Sequence, residues 1–156
     1  KKDISTRTLN ALISHMKKAL AKEEYGVAIA APQVGQPLRL FVVAGKVFVE
    51  QKEGKVAEAT IDRVFINPEI VRTSRKKSAM SEGCLSVRGK YGDVMRHEKV
   101  TLKALNEKGE HVTYHGSDLL AQIFQHECDH LEGILYIDKA ENLRDMEKEK
   151  EHEQKQ

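Results

Sequence analysis

Residues Gln125-His126-Glu127-Cys128-Asp129-His130 set two imidazoles and a carboxylate in an H-E-x-x-H pattern. Histidines four apart on a helix share a face, with Cβ atoms about 5–6 Å apart. Both rings can then reach one metal ion. Glu127 projects beside that ion, where it can move protons. The chain holds 7 His, so the pattern needs support from its surroundings.

The first support is the helix that carries it. Ser117 suits an N-cap and Gly133 a C′ position, so a helix is expected from about Asp118 to Glu132. Advancing about 100° per residue from Leu119 brings Ile123, His126, His130 and Glu127 to one side, with Leu120, Phe124 and Leu131 next to them. Asp118, Ala121, Gln122, Gln125, Asp129 and Glu132 fill the other side. The histidines and Glu127 thus fall on the apolar half. Burying them unpaired is costly, and a metal compensates that cost. A hydrogen-bonded pair of core histidines is the alternative, but it leaves Glu127 unexplained.

Catalytic zinc-type sites use three protein ligands and an open position. Cys128 lies opposite the histidines on the wheel and does not qualify. His15, His97, His111, His115 and His152 are scattered. Cys84, between Gly83 and Leu85, sits where the backbone can approach a site closely. A Cys84, His126, His130 set would offer a divalent metal one sulfur and two nitrogens. A Cys84–Cys128 disulfide is the rival use of that thiol, in a chain with no other secretory sign.

The rest of the chain must position these residues. Its 156 residues, 40% hydrophobic and 32% charged, suit one globular domain over 1–156, with 139–156 a charged tail. The net charge of +2 argues for neither nucleic acid nor an anionic membrane as partner. No apolar run is long enough to span a bilayer. The chain opens on Lys1, so a targeting segment outside it stays open.

Leu9, Leu12, Ile13, Met16 and Leu20 predict an amphipathic helix over about Ser5 to Glu24. Gly26 to Gly35 is small and apolar with Pro32 inside; it fits neither a helix nor an ordinary strand, and is either a tight connection or a place of close backbone approach. Strands are expected at Leu38–Val43 and Lys46–Gln51, with a loop or hairpin tip at Glu53–Ala59. Further strands are expected at Ile61–Ile66 and Glu69–Thr73, broken at Asn67-Pro68. The basic run Arg72 to Lys77 reads as a solvated strand end. Gly89 to Gly92 reads as a turn-rich link. Lys99–Leu105 and Glu110–His115 predict a hairpin around Asn106–Gly109. A short apolar stretch, Ile134–Ile137, precedes the charged helix or frayed tail. The expected class is α+β, with mostly antiparallel sheets around a central metal-binding helix and an N-terminal amphipathic helix.

Three stretches in order resemble the motifs of the peptide deformylases. Gly26-Val27-Ala28-Ile29-Ala30-Ala31-Pro32-Gln33 resembles the pattern Gly-x-Gly-x-Ala-Ala-x-Gln. Glu82-Gly83-Cys84-Leu85-Ser86 and Gln125-His126-Glu127-Cys128-Asp129-His130 match the family's other two in full. The resemblance runs from about Ile13 to Ala140 and rests on the combination. It implies that Cys84, His126 and His130 bind the metal and that Glu127 is the general acid/base. It gives Gln33 and the Leu85 N–H the formyl oxygen, and Arg96 a supporting role. Gly26, Val27 and Ala28 are expected to line the substrate groove, with Val27, Leu119 and Ile123 around the methionine side chain.

The implied reaction removes the N-formyl group from formyl-methionine of nascent polypeptides and releases formate. The metal makes hydroxide available near neutral pH for attack on the formyl carbon. The metal, Gln33 and Leu85 hold the oxyanion, and Glu127 carries the proton to the leaving amine. Fe²⁺ is the implied native metal, with Zn²⁺, Ni²⁺ or Co²⁺ able to occupy such a site. The resemblance also implies a cytoplasmic monomer acting on nascent chains, at the ribosome. The chain departs from the family at Ala28, where a second glycine is usual, at Arg88 in place of Pro, and at Tyr91 in place of Arg. A zinc endopeptidase shares H-E-x-x-H, but the Glu82–Ser86 motif speaks against it. A non-catalytic binder of nascent chains would not need the full ligand set and Glu127.

Overall fold

The computed structural model describes residues 5–49, 61–84 and 87–145. In chain order the elements are α1 (Thr6–Ala21), β1 (Ala28–Ala30), a 3₁₀ turn (Ala31–Val34), β2 (Leu40–Val43), α2 (Lys46–Val49), β3 (Arg63–Thr73), β4 (Lys77–Cys84), β5 (Val87–His97), β6 (Lys99–Leu105), β7 (His111–Ser117), α3 (Asp118–Leu131), α4 (Tyr136–Lys139) and β8 (Glu141–Asp145). This is the expected α+β class. The chain forms two compact units. One takes in residues up to Glu69 together with Lys103–Tyr114; the other takes in Ile70–Leu102 and the chain from His115 onward.

A five-stranded sheet has the order β1-β2-β3-β6-β7, and in the first unit α1 packs on β1 and β2. Ser5 caps α1, its Oγ accepting from the Thr8 N–H at 3.2 Å. Ile13, Met16 and Leu20 recur at helical spacing and bury against Ile29, Leu40, Val42 and Val64. The antiparallel register Phe41↔Phe65 and Val42↔Val64 alternates the faces of β2. Phe41 stacks on Phe65 at 5.0 Å, and Phe65 meets Tyr114 edge-on. Gly26 is a packing glycine: a Cβ there would lie 2.9 Å from the Glu23 Cβ.

Two expectations fail in this unit. Lys46–Val49 is a single helical turn, not a strand. Neighbouring Val47 and Phe48 are both buried, which a strand of period two cannot achieve on one face. Residues 50 and 51, and the loop expected at Glu53–Ala59, lie outside the described residues. Asn67-Pro68 does not break β3, which runs through it. Asn67 takes the left-handed conformation (φ 49°), which its short polar side chain tolerates, and donates its N–H to the Arg39 carbonyl at 2.8 Å. The hairpin turn at Asn106–Gly109 forms as expected. The Asn106 Oδ1 accepts from the Lys108 and Glu110 N–H groups, and Gly109 supplies φ 77°.

The second unit is built on the antiparallel hairpin of β4 and β5, with β8 added on the far edge of β5. Gly89 to Gly92 is therefore strand, not a link. Gly92 serves close packing: a Cβ would lie 2.9 Å from the Ala140 Cβ and 3.1 Å from the Glu141 carbonyl oxygen. The start of the expected helical or frayed tail, Glu141–Asp145, is β8, pinned where Arg144 donates to Asp93 at 2.9 Å. Residues from 146 lie outside the described set. Helix α3 follows Ser117 and ends at the Glu132 cap, with Gly133 at φ 75°. Gln125 and Ala121, placed on the outer side by the wheel, are buried. The Gln125 amide explains this: it donates to the His97 carbonyl and accepts from the His97 N–H, both at 2.9 Å. It completes the backbone bonding at the end of β5 as a strand would.

Met16 has no exposed surface, so Met16→Ala is expected to cost about 2–5 kcal/mol. A fall in the urea midpoint at unchanged m value checks this; an unchanged midpoint contradicts the packing described.

Candidate metal centre

The hairpin β4–β5 and helix α3 bring Cys84, His126 and His130 together. Their ligand atoms all lie within 4.8 Å of one another. The His130 Nε2 is 3.1 Å from the Cys84 Sγ and 3.1 Å from the His126 Nε2. Two nitrogens on one tetrahedral zinc stand about 3.3 Å apart, so the spacing suits a shared cation. Both cysteines are free of disulfide.

The orientation of His126 has a visible cause. Its Nδ1–H donates to the Glu82 Oε1 at 2.7 Å, which aims Nε2 at the other two ligands. Glu82 is held in turn by Arg96, whose Nε and Nη2 donate to its two oxygens at 2.7 and 2.8 Å. The Arg96 Nη1 donates to the Asp129 Oδ2 at 2.7 Å, and the Lys139 Nζ reaches the same oxygen at 3.1 Å. Charges thus alternate from the surface to the ligand: Lys139, Asp129, Arg96, Glu82, His126.

Burial pushes the Glu82 carboxyl upward, but hydrogen bonds from Arg96 and His126 outweigh it and hold it at about 2. Burial pushes His126 downward, yet the hydrogen bonds of Cys84 and Glu82 carry it up to about 10. The site therefore favours a positive charge at His126, which a divalent cation held by Cys84, His126 and His130 would supply in place of a proton. Glu127 is buried, and its Oε2 has no partner among the described residues. Burial raises it, against the pull of His126 and His130, to about 7. A carboxyl near neutrality beside a cation site is suited to taking and returning a proton.

The remaining expected residues are distributed as follows. Arg96 is buried and bridges Glu82 and Asp129. On α3, Ile123 is buried and Leu119 half-buried. Gly26, Val27, Ala28 and Gln33 belong to the first unit. There the Gln33 Oε1 accepts from the Ala30 N–H at 2.8 Å. Gly26 and Ala28 are buried, and Val27 is half-buried. Leu85 lies outside the described residues. Sequence reasoning missed Glu82, Asp129 and Gln125 as supports of the site. Glu82 stood inside a recognised motif, two positions before Cys84 on an extended stretch. Asp129 was lost because the wheel turned it outward, and its partner Arg96 is 33 positions away.

A thiol and two imidazoles that converge beside a buried carboxylate form a donor set that fits a divalent metal. A family model described as polypeptide deformylase matches residues 1–146. A peptide deformylase of Borreliella burgdorferi is 48% identical over 113 residues, covering 72% of this chain and 62% of that protein. The chain thus spans less than two thirds of that relative's length. A probable peptide deformylase from Synechococcus phage S-SSM7 superposes with a TM-score of 0.76 at 31% identity, covering 89% of this chain and 88% of that one. A class I type b peptide deformylase from Acinetobacter baumannii, solved with Met-Ala-Ser bound, gives a TM-score of 0.70 at 35% identity, covering 84% and 80%. The chain belongs to the polypeptide deformylase family.

Glu82 carries an acid-sensitive share of stability. Its folded pKa of about 2 lies below the ordinary 4.5, so this share is present above pH 4.5 and is lost as pH falls toward 2. The shift corresponds to something on the order of 3 kcal/mol. In metal-free protein, Glu82→Gln is expected to flatten the loss of stability through that window. An acid-unfolding profile as steep as the unmutated chain's would contradict the assignment.

Proposed function

We propose that this chain is a metal-dependent peptide deformylase. It hydrolyses the formyl amide of a peptide beginning with formyl-methionine to formate and a free amino terminus. The observation that carries the reading is the buried Oε2 of Glu127, without a partner among the described residues, beside the convergent atoms of Cys84, His126 and His130, in a chain that belongs to the family. The A. baumannii structure holding Met-Ala-Ser supports a peptide with an amino-terminal methionine as the product.

Cys84, His126 and His130 would hold one divalent metal, Fe²⁺ in the native state by family resemblance. When bound, the ion supplies Lewis acidity that polarises the formyl group and acidifies water. The residues do the rest. Glu127 Oε2 takes a proton from the attacking water as the new C–O bond forms. As the formyl C–N bond breaks, the same oxygen returns the proton to the amine nitrogen. Its burial keeps bulk water from short-circuiting that transfer. Gln33 and the Leu85 N–H hold the developing oxyanion on the strength of their motifs. Leu119 and Ile123 offer apolar surface for the methionine side chain, with Val27, Gly26 and Ala28 along the peptide. The reading takes 1–156 as one catalytic domain, working as a cytoplasmic monomer on chains leaving the ribosome. No helix among the described residues is long and apolar enough to cross a membrane.

The test is formate release from formyl-Met-Ala by anaerobically prepared protein, with internal peptide cleavage assayed in parallel. Glu127→Gln should lower kcat about 10²–10⁴-fold with metal content unchanged. Retained formate release in that variant, or peptide-bond cleavage without formate release in the unmutated chain, would contradict the reading.

A further inference from the structure

We infer that Tyr136 is a positioning residue for the metal ligand His126, and that it couples the helix bearing two ligands to the hairpin bearing the third. The inference rests on the metal reading above. Tyr136 is the largest fully buried side chain, at 1% exposure. Its ring lies nearly parallel to the His126 imidazole, with centroids 6.2 Å apart and planes 24° apart. The edges of that imidazole are already committed, Nδ1 to Glu82 and Nε2 toward His130. Those contacts fix the direction of the ring but leave it free to rock about the line joining them. Tyr136 is stacked toward its face, and the His130 ring stands edge-on to it at 4.8 Å and 70°.

The other end of Tyr136 is tied down separately. Its hydroxyl donates to the Lys90 carbonyl oxygen of β5 at 3.0 Å. That carbonyl lies where a Cβ on Gly83 would come to 3.4 Å, and Gly83 separates Glu82 from Cys84. One side chain therefore faces the His126 ring with its own ring and bonds through its hydroxyl to β5, the strand paired with the one that carries Cys84. Lys139, one helical turn on, adds a contact from α4 to Asp129 on the ligand helix. Loss of the ring should let His126 rock and loosen the metal; loss of the hydroxyl alone should loosen it less.

The test loads apo protein with Co²⁺ and records the thiolate charge-transfer and d–d bands. Release to a chelator is timed for unmutated chain, Tyr136→Phe and Tyr136→Leu. Tyr136→Leu is expected to release Co²⁺ about 10–100-fold faster with shifted bands. Tyr136→Phe should show a few-fold change, most of the loss being rescued by its ring. Global destabilisation alone would not shift the bands of the folded, loaded protein. If Tyr136→Leu does not fold, Tyr136→Phe still decides. Unmutated bands and release rate in the folded variants would overturn the inference. Failure of the unmutated chain to bind Co²⁺ would instead overturn the metal reading on which it rests.

Discussion

The buried ion pair of Glu82 and Arg96 is the constraint on which the site depends. Both side chains are only 3% exposed, and the pair is bidentate. Placing two charges out of water costs several kcal/mol per ion unless every donor and acceptor is used. Here further bonds offset that cost: Glu82 also accepts from His126, and Arg96 also donates to Asp129. The cost can be met only when β4, β5 and α3 are all in register, because each contributes one or more members. The same register makes Cys84, His126 and His130 converge. Folding energy and ligand geometry are therefore set by one network.

That network also separates two carboxylates of similar intrinsic acidity. Glu82, bonded to a guanidinium and an imidazole, stays ionised at about 2. Glu127, buried and without a partner on Oε2 among the described residues, rises to about 7. The first is a fixed negative charge that orients a ligand. The second, in the metal-free site, lies near neutrality. The division of roles comes from surroundings and not from residue type.

Much of this was legible in the chain, for identifiable reasons. The helix bearing His126 and His130 is bounded by Ser117, whose side chain makes no capping bond, and by Gly133, and its apolar face has the helical period. Its ends and the inward turn of Glu127 follow from those alone. The amphipathic helix α1 was legible in the same way, through Ile13, Met16 and Leu20. Elements shaped by distant partners were not. Gly92 looks like a turn residue until Ala140 and Glu141 pack against it. Lys46–Val49 alternates weakly enough to pass for a strand. Gln125 looks solvent-facing until the end of β5 needs its amide. In each case the deciding contact is tertiary and leaves no local period.

The most direct test of the central claim is X-ray absorption at the metal edge of anaerobically purified protein, with the metal counted per chain. One metal per chain, with one sulfur scatterer at about 2.3 Å and nitrogen or oxygen scatterers near 2.0–2.1 Å, is the predicted result. A bound metal with no sulfur neighbour, or with sulfur still present in Cys84→Ala, would contradict the account.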